Sequence, residues 1–227
     1  MSTPGNPFTL ASWRREVAEL YAGMRNTAQR DPRLAAAQFR AGRDSLLRHH
    51  PESPFTHDAL AAFRGIDYFP YDPAWRLTGA IDRNVERLEF QIDLAGDGPL
   101  RCTRAGVVRC SFGSAEIALS VYWMEGYGGG LWLPFGDATN STETYGGGRY
   151  LYDGIKGADL GAGADRSGDT MLLDFNFAYN PSCAYDLRWS CPLTPQENRL
   201  ALPVRAGERA FRPPAAGAAP QSSAAAA

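Results

Sequence analysis

Lysine is almost missing from this chain of 227 residues: Lys156 is its only one, and the other basic side chains are arginines. Alanine and glycine are abundant alongside, so compositional drift explains the bias better than function does. Neither sign of charge is in excess. A net charge of -2 supplies no basic field to hold nucleic acid or an anionic membrane. No apolar run of ~18 residues is present, so no membrane-spanning helix is expected. The opening MSTPGNPFTLASWRREVAEL lacks the basic stretch and apolar core of a secretory signal. The expectation is a cytoplasmic protein with reduced thiols.

Histidine is scarce too. His49, His50 and His57 stand in no HxH or HExxH spacing. His49 and His50 follow Arg48 at the end of an expected helix, where cations complement the helix dipole. A GxSxG nucleophile elbow is absent. The glycines before Arg149 open a strand instead of a helix and have no lysine-threonine pair, which excludes a phosphate loop. Four cysteines, Cys102, Cys110, Cys183 and Cys191, form two pairs with seven residues inside each. That is not the spacing of a zinc knuckle. No cofactor and no metal site are expected, and a zinc staple at Cys183 and Cys191 is the weakest reading of that loop.

What is present reads as a helical start and a β-rich body. In SWRREVAELYAGM, Trp13, Val17, Leu20, Tyr21 and Met24 share one helical face, with Ser12 placed as N-cap. Asp31-Pro32 opens a second helix that carries Phe39, Leu46 and Leu47 inward. THDALAAFRG reads as a third, between Thr56 as cap and Gly65 as terminator. Beyond Trp75 the period changes to two. RLEFQID, VVRCSF, AEIALSVYWM, LWLPF, RYLYD, MLLDFNF and LALPVRA read as strands, the third with Ile117, Leu119, Val121 and Trp123 on one face. The predicted class is α+β, β-dominated: an antiparallel β-barrel or sandwich with an N-terminal helical segment packed on it. Residues 1–65 are expected to form the helical segment, 66–212 the β-rich core domain, and 213–227 a disordered low-complexity tail.

The most specialised stretch is DFNFAYNPSCAYDLRWSCPLTPQENRL, residues 174–200. Strand parity sets Leu172, Asp174 and Asn176 opposite Met171, Leu173, Phe175 and Phe177. That polar face would meet solvent or line a barrel mouth, and the turn at Asn180-Pro181 favours the mouth. Arg43 falls between Phe39, Leu46 and Leu47 on the apolar side of its helix, where it either snorkels out to solvent or reaches a carboxylate or a bound anion, a structural ion pair being the commoner outcome. Arg149 and Lys156 are further candidates for an anionic ligand. Cys102 and Cys110 read as buried strand residues. Cys183 is a candidate nucleophile, which needs a base or an electropositive neighbour.

The runs TETYGGGRYL, LDFNFAYNPSCAY and CPLTPQENRL, with RDSLLRHHPESPF and GIDYFPYDPAWR upstream, resemble a bacterial and archaeal family known as a domain of unknown function, number sixteen eighty-four. The likeness spans residues 35–210, and its pattern falls on Arg43, Tyr145, Arg149, Asp174, Asn176, Tyr179, Asn180, Cys183, Tyr185 and Asn198. It implies no activity. A polar set of this kind suits either a ligand or a buried network. On the first reading the partner is a small polar or anionic molecule, in a pocket at the barrel end. Arg43 and Arg149 hold it and Asn176, Asn180 and Asn198 orient it, with Tyr185 beside them. Asp174 is then the general base, Tyr145 or Tyr179 the proton donor and Cys183 the alternative nucleophile. On the second reading the chain is a non-catalytic structural or interaction module whose arginines pair with Asp44 or Asp174.

Overall fold

Capping and an apolar stripe build the N-terminal helices. In the computed structural model, which describes residues 6–94, 98–161 and 168–212, α1 runs Pro7–Ala28, α2 Pro32–His49 and α3 His57–Ala62. The tail expected beyond residue 212 lies outside the described residues. Asn6, not Ser12, caps α1 by accepting from the Phe8 N–H at 2.9 Å. Pro7 needs no amide partner in a first turn, so the helix starts there. Asp31 caps α2, accepting from the Leu34 N–H at 2.9 Å. Thr56 caps α3, which closes at an extended Phe63 before Gly65 is reached.

Seven strands form one antiparallel sheet curled into a half-barrel. They are β1 Arg76–Asp82, β2 Glu89–Leu94, β3 Gly98–Phe112, β4 Ala115–Met124, β5 Gly130–Phe135, β6 Arg149–Asp153 and β7 Thr170–Asp174. The order is β6-β5-β4-β3-β1-β7, with β2 paired to β3 off that path. Strand β3 pairs with β4 along one edge and divides the other between β2, as far as Thr103, and β1, from Val107. A register shift between Arg104 and Gly106 bends it where the partner changes. The sequence pattern missed β1 because Gly79 interrupts its alternation. A Cβ there would lie 2.4 Å from Val108 Cγ2 and 3.0 Å from the Arg109 carbonyl oxygen, so the crossing needs glycine.

Two expected strands are corrected. LALPVRA is irregular, because Pro203 cannot donate to a ladder; isolated bridges flank it, Gly136 with Arg199 before and Tyr68 with Glu208 after. MLLDFNF is a strand only to Asp174 and then tightens into a 3-10 turn, Phe175–Phe177. Trp123 also departs from expectation. Ile117, Leu119 and Val121 are buried, whereas Trp123 is 42% exposed. The register shift of β3 between Arg104 and Gly106 lies opposite that end of β4, where Tyr122 and Met124 on the other face are buried in the core instead.

One core joins helices and sheet. Phe39 of α2 packs edge-on against Phe177 at 5.1 Å and Tyr21 of α1 at 5.0 Å. The ends of the sheet also meet. Tyr152 of β6 donates to the Leu172 carbonyl of β7 at 2.7 Å, and Tyr150 exchanges backbone hydrogen bonds with Tyr179 at 2.9 and 3.1 Å. At the entry to β6, Gly148 has φ +92, and a Cβ would stand 2.0 Å from Thr194 Oγ1 and 2.8 Å from the Phe135 carbonyl oxygen. Gly148→Ala should therefore cost about 1–3 kcal/mol from backbone strain alone. A urea midpoint equal to wild type would contradict this.

Candidate functional site

Strand β7 delivers Asp174 into the protein interior. Its carboxylate accepts from Arg76 Nη1 at 2.7 Å and from Asn176 Nδ2 at 2.9 Å, and caps the following turn through the Asn176 N–H at 3.2 Å. Strand parity is not what brings Asp174 and Asn176 together; the cap is. Asn176 then clasps the backbone of Asp72, accepting from its N–H and donating to its carbonyl, both at 2.9 Å. Burial pushes the Asp174 carboxyl up, with the Asn176 and Arg76 bonds opposing. Expected as a general base, this group is closed from solvent and held by protein donors.

Arg43 reaches a carboxylate, but neither of the two expected. Asp44 instead accepts from the Ile66 N–H at 3.0 Å. Arg43 Nε donates to Glu208 Oε1, and its Nη2 to Tyr185 Oη at 3.2 Å. Glu208 is wholly buried and also accepts from Tyr185 Oη at 2.6 Å and from the Asn180 N–H at 2.8 Å. Burial opposes the charge of Arg43, yet Glu208 and the two tyrosines around it hold the guanidinium well above its usual range. Tyr179 places its ring 5.0 Å from the same guanidinium. Burial raises the Tyr179 phenol far above the ordinary, so it keeps its proton beside the Arg43 charge.

Arg149 serves a second hub. Its Nη2 donates to Asp137 Oδ2 and to the Val204 carbonyl, both at 2.8 Å; its Nη1 donates to the Ala206 carbonyl and, at 3.1 Å, to that of Glu208. The irregular segment 204–208 is thereby pinned across the sheet. Asn180 donates to the Arg209 carbonyl at 2.8 Å. Asn198 bonds Ser120 in both directions at 2.8 Å and the Pro134 carbonyl at 2.7 Å. So the six side chains expected to hold or orient a ligand, Arg43, Arg149, Asn176, Asn180, Tyr185 and Asn198, meet protein groups directly. Sequence reasoning missed Glu208 and Asp137. The signal for Glu208 was Arg43 itself: a cation on an apolar helix face requires a buried anion somewhere.

The cysteine loop differs. Cys183 N–H points at Cys191 Sγ, 3.3 Å away, and Tyr145 Oη lies 3.5 Å from Cys183 Sγ. Both thiols are free, Cys183 buried and Cys191 half-buried. The hydrogen bond from the Cys191 thiol, against burial and with help from Tyr145, draws Cys183 down to about 6. Burial, followed by the bond to Cys183, pushes Tyr145 up, so it stays a proton donor to the sulfur. Among the described residues no group of three or more His, Cys, Asp or Glu side chains is placed to hold a metal ion.

Among the described residues, two open depressions on the surface are lined by residues outside 174–200. One, of about 520 Å³, lies between α1 and α2 around Glu16, Ser45, His49 and His50. The other, of about 410 Å³, is lined by Arg83, Arg87, Thr103, Arg104, Trp123 and Glu125. Arg83 pairs with Asp169 at 2.7 Å, Arg87 with Glu89 at 2.6 Å and Arg104 with Glu197 at 3.4 Å. Among the described residues Arg104 Nε is buried without an acceptor. Glu197 also accepts from Tyr122 Oη at 2.8 Å, and its neighbour Asn198 is bolted to β4, so the signature stretch positions Arg104.

Fold and contacts together define a half-barrel α+β protein with a polar-locked cap. The chain belongs to the family described as Protein of unknown function (DUF1684), whose model matches residues 61–209. It is similar to the solution NMR structure of an uncharacterized protein from Haloarcula marismortui, at 29% identity and a TM-score of 0.59, over 81% of this chain and 96% of that one. No curated protein matches. No helix among the described residues is long and apolar enough to cross a membrane.

Proposed function

We propose that the protein binds a small anionic molecule with a flat apolar part, in the groove of Arg83, Arg87, Arg104 and Trp123. One observation carries this: three guanidinium groups and an exposed indole border a single depression of about 410 Å³, a size suited to a small ligand. The ion-pair partners of these arginines are exposed or half-exposed carboxylates, which hold weakly; Arg83 and Arg104 also donate to the Gly168 and Glu86 carbonyls. A carboxylate or phosphate would displace Asp169 and Glu89 from Arg83 and Arg87, beside an Arg104 that Glu197 keeps in place, while a planar group stacks on Trp123. Free thiols agree with a cytoplasmic setting.

The signature side chains favour the other reading for themselves. Their bonds run to protein atoms, which suits a rigid cap whose contribution is to hold Glu197, and hence Arg104, in place. Binding in the groove and locking in the cap are compatible roles on separate residues.

The test is a panel of aryl phosphates and aryl carboxylates, read by tryptophan fluorescence and thermal shift. At least one should saturate, and at about 100 times its Kd it should add ~2.7 kcal/mol of stability. Arg87→Glu and Trp123→Ala should weaken it at least about tenfold, the loss of one good contact or ~1.4 kcal/mol. A panel without any saturable response, or equal binding by both variants, overturns the groove.

A further inference from the structure

We propose that Cys183 and Cys191 form a redox-active dithiol that exchanges with small organic disulfides, with Cys183 attacking and Cys191 resolving. Residues 184–190 do not hang free between the two. Ala184 N–H bonds the Pro181 carbonyl at 2.9 Å, Tyr185 N–H the Ser182 carbonyl at 3.0 Å and Trp189 N–H the Asp186 carbonyl at 3.2 Å. These successive turns fold the chain back until Cys191 Sγ sits 3.3 Å from the Cys183 amide nitrogen. At the other end, Tyr145, on the turn that enters β6, brings its hydroxyl to 3.5 Å from Cys183 Sγ. A thiolate at 183 thus has a donor in place, and its resolving partner is already adjacent.

The groups that act on Cys183 are Cys191, Tyr145 and the single lysine, Lys156. All three favour the thiolate: two supply hydrogen bonds and one a positive charge. Tyr150, close enough to be influenced by both sulfurs, is kept neutral by burial. The other two cysteines form an internal control. Cys102 and Cys110 lie in β3, where burial, joined at Cys102 by the charge of Glu125, pushes each up to about 11. One pair is built for reaction, the other for packing.

The exchange balances without a further reagent. The Cys183 thiolate attacks one sulfur of RSSR, forming Cys183–S–SR and releasing RS⁻. Cys191 then gives its proton to that thiolate and attacks Cys183 Sγ, forming the Cys183–Cys191 bond and releasing a second RS⁻. Two electrons pass from the protein dithiol to the small disulfide. Closing the bond asks one sulfur to move from its amide contact to the ~2.05 Å of a disulfide, a shift within reach of side-chain rotation and small loop adjustment.

The experiment treats the full chain with oxidised glutathione, blocks remaining thiols with N-ethylmaleimide under denaturing conditions and maps the peptides. A Cys183–Cys191 cross-link should appear, with Cys102 and Cys110 blocked. In Cys191→Ser the glutathione adduct should accumulate on Cys183; in Cys183→Ser no adduct should form on Cys191. For native protein, iodoacetamide should label Cys183 at least about tenfold faster than Cys102 or Cys110 at neutral pH. Its rate should rise through a midpoint near 6, and Tyr145→Phe should move that midpoint upward. The proposal fails if all four thiols remain blockable after treatment. It also fails if cross-links scatter to Cys102 or Cys110, or if Cys183 labels no faster than those two.

Discussion

Glu208→Ala is expected to be the most damaging single substitution in this protein, costing about 3–5 kcal/mol, the loss typical of a buried ion pair with one member removed. The reason lies in what it leaves behind. Arg43 would be a cation in the interior with its principal acceptor gone, and the Asn180 N–H and the Tyr185 hydroxyl would lose their acceptor as well. Each such orphan adds about 1–3 kcal/mol of unreturned desolvation unless water enters. A domain of this kind has only ~5–15 kcal/mol of stability in hand. Thermal unfolding should fall by roughly 10 °C, at the 2–4 °C per kcal/mol usual for this chain length. The pair is a lock more than a source of net stability, so Arg43→Met combined with Glu208→Leu should recover part of the loss. A melting temperature for Glu208→Ala within about 2 °C of wild type would refute the account.

Arg149→Met is expected to lose about 3–5 kcal/mol as well, by urea denaturation, and for a related reason. Four acceptors surround this guanidinium: the Asp137 carboxylate and the carbonyls of Val204, Ala206 and Glu208. Burial pushes the Arg149 charge down, with Asp137 opposing, so the pair is sustained by geometry that only a planar fork supplies. Arg149→Lys should therefore rescue little, since one ammonium cannot serve acceptors spread along both arms of the fork. Stability is the discriminating readout. A ligand anchor would leave folding intact and abolish binding; a structural arginine would do the reverse. Wild-type stability for Arg149→Lys would return Arg149 to the list of ligand-binding candidates.

Both substitutions act on residues that a reading of local pattern handles unequally. Arg43 stands out in the sequence because it interrupts an apolar helical face, and Arg149 because it follows glycines into a strand. Their partners carry no such mark. Glu208 and Asp137 sit in irregular segments, where a carboxylate ordinarily meets solvent. Only the packing of those segments across the sheet makes them buried anions. The same holds for Trp123, whose parity with Val121 predicts an inner face. The register shift of β3 falls opposite that end of β4, where Tyr122 and Met124 are buried instead, and the period of β4 does not record a shift in its partner.

Local chemistry decided what it can decide alone. Asp31 before a first-turn proline sets the start of α2 and Thr56 that of α3, because capping satisfies amides within a few residues. Alternating apolar residues set β2 and β4, because a strand half-buried on a sheet needs that period, whereas β5 and β6 read from short apolar runs and are buried on both faces. Cysteine spacing argued against a zinc knuckle for the same local reason. Contacts between residues far apart in the chain were left to the tertiary structure. They decide that Arg43 meets Glu208 rather than Asp44 or Asp174, that Asp174 caps a turn, and that Cys191 returns to Cys183. Each depends on where the polymer crosses itself, and on which charges burial then forces to find one another.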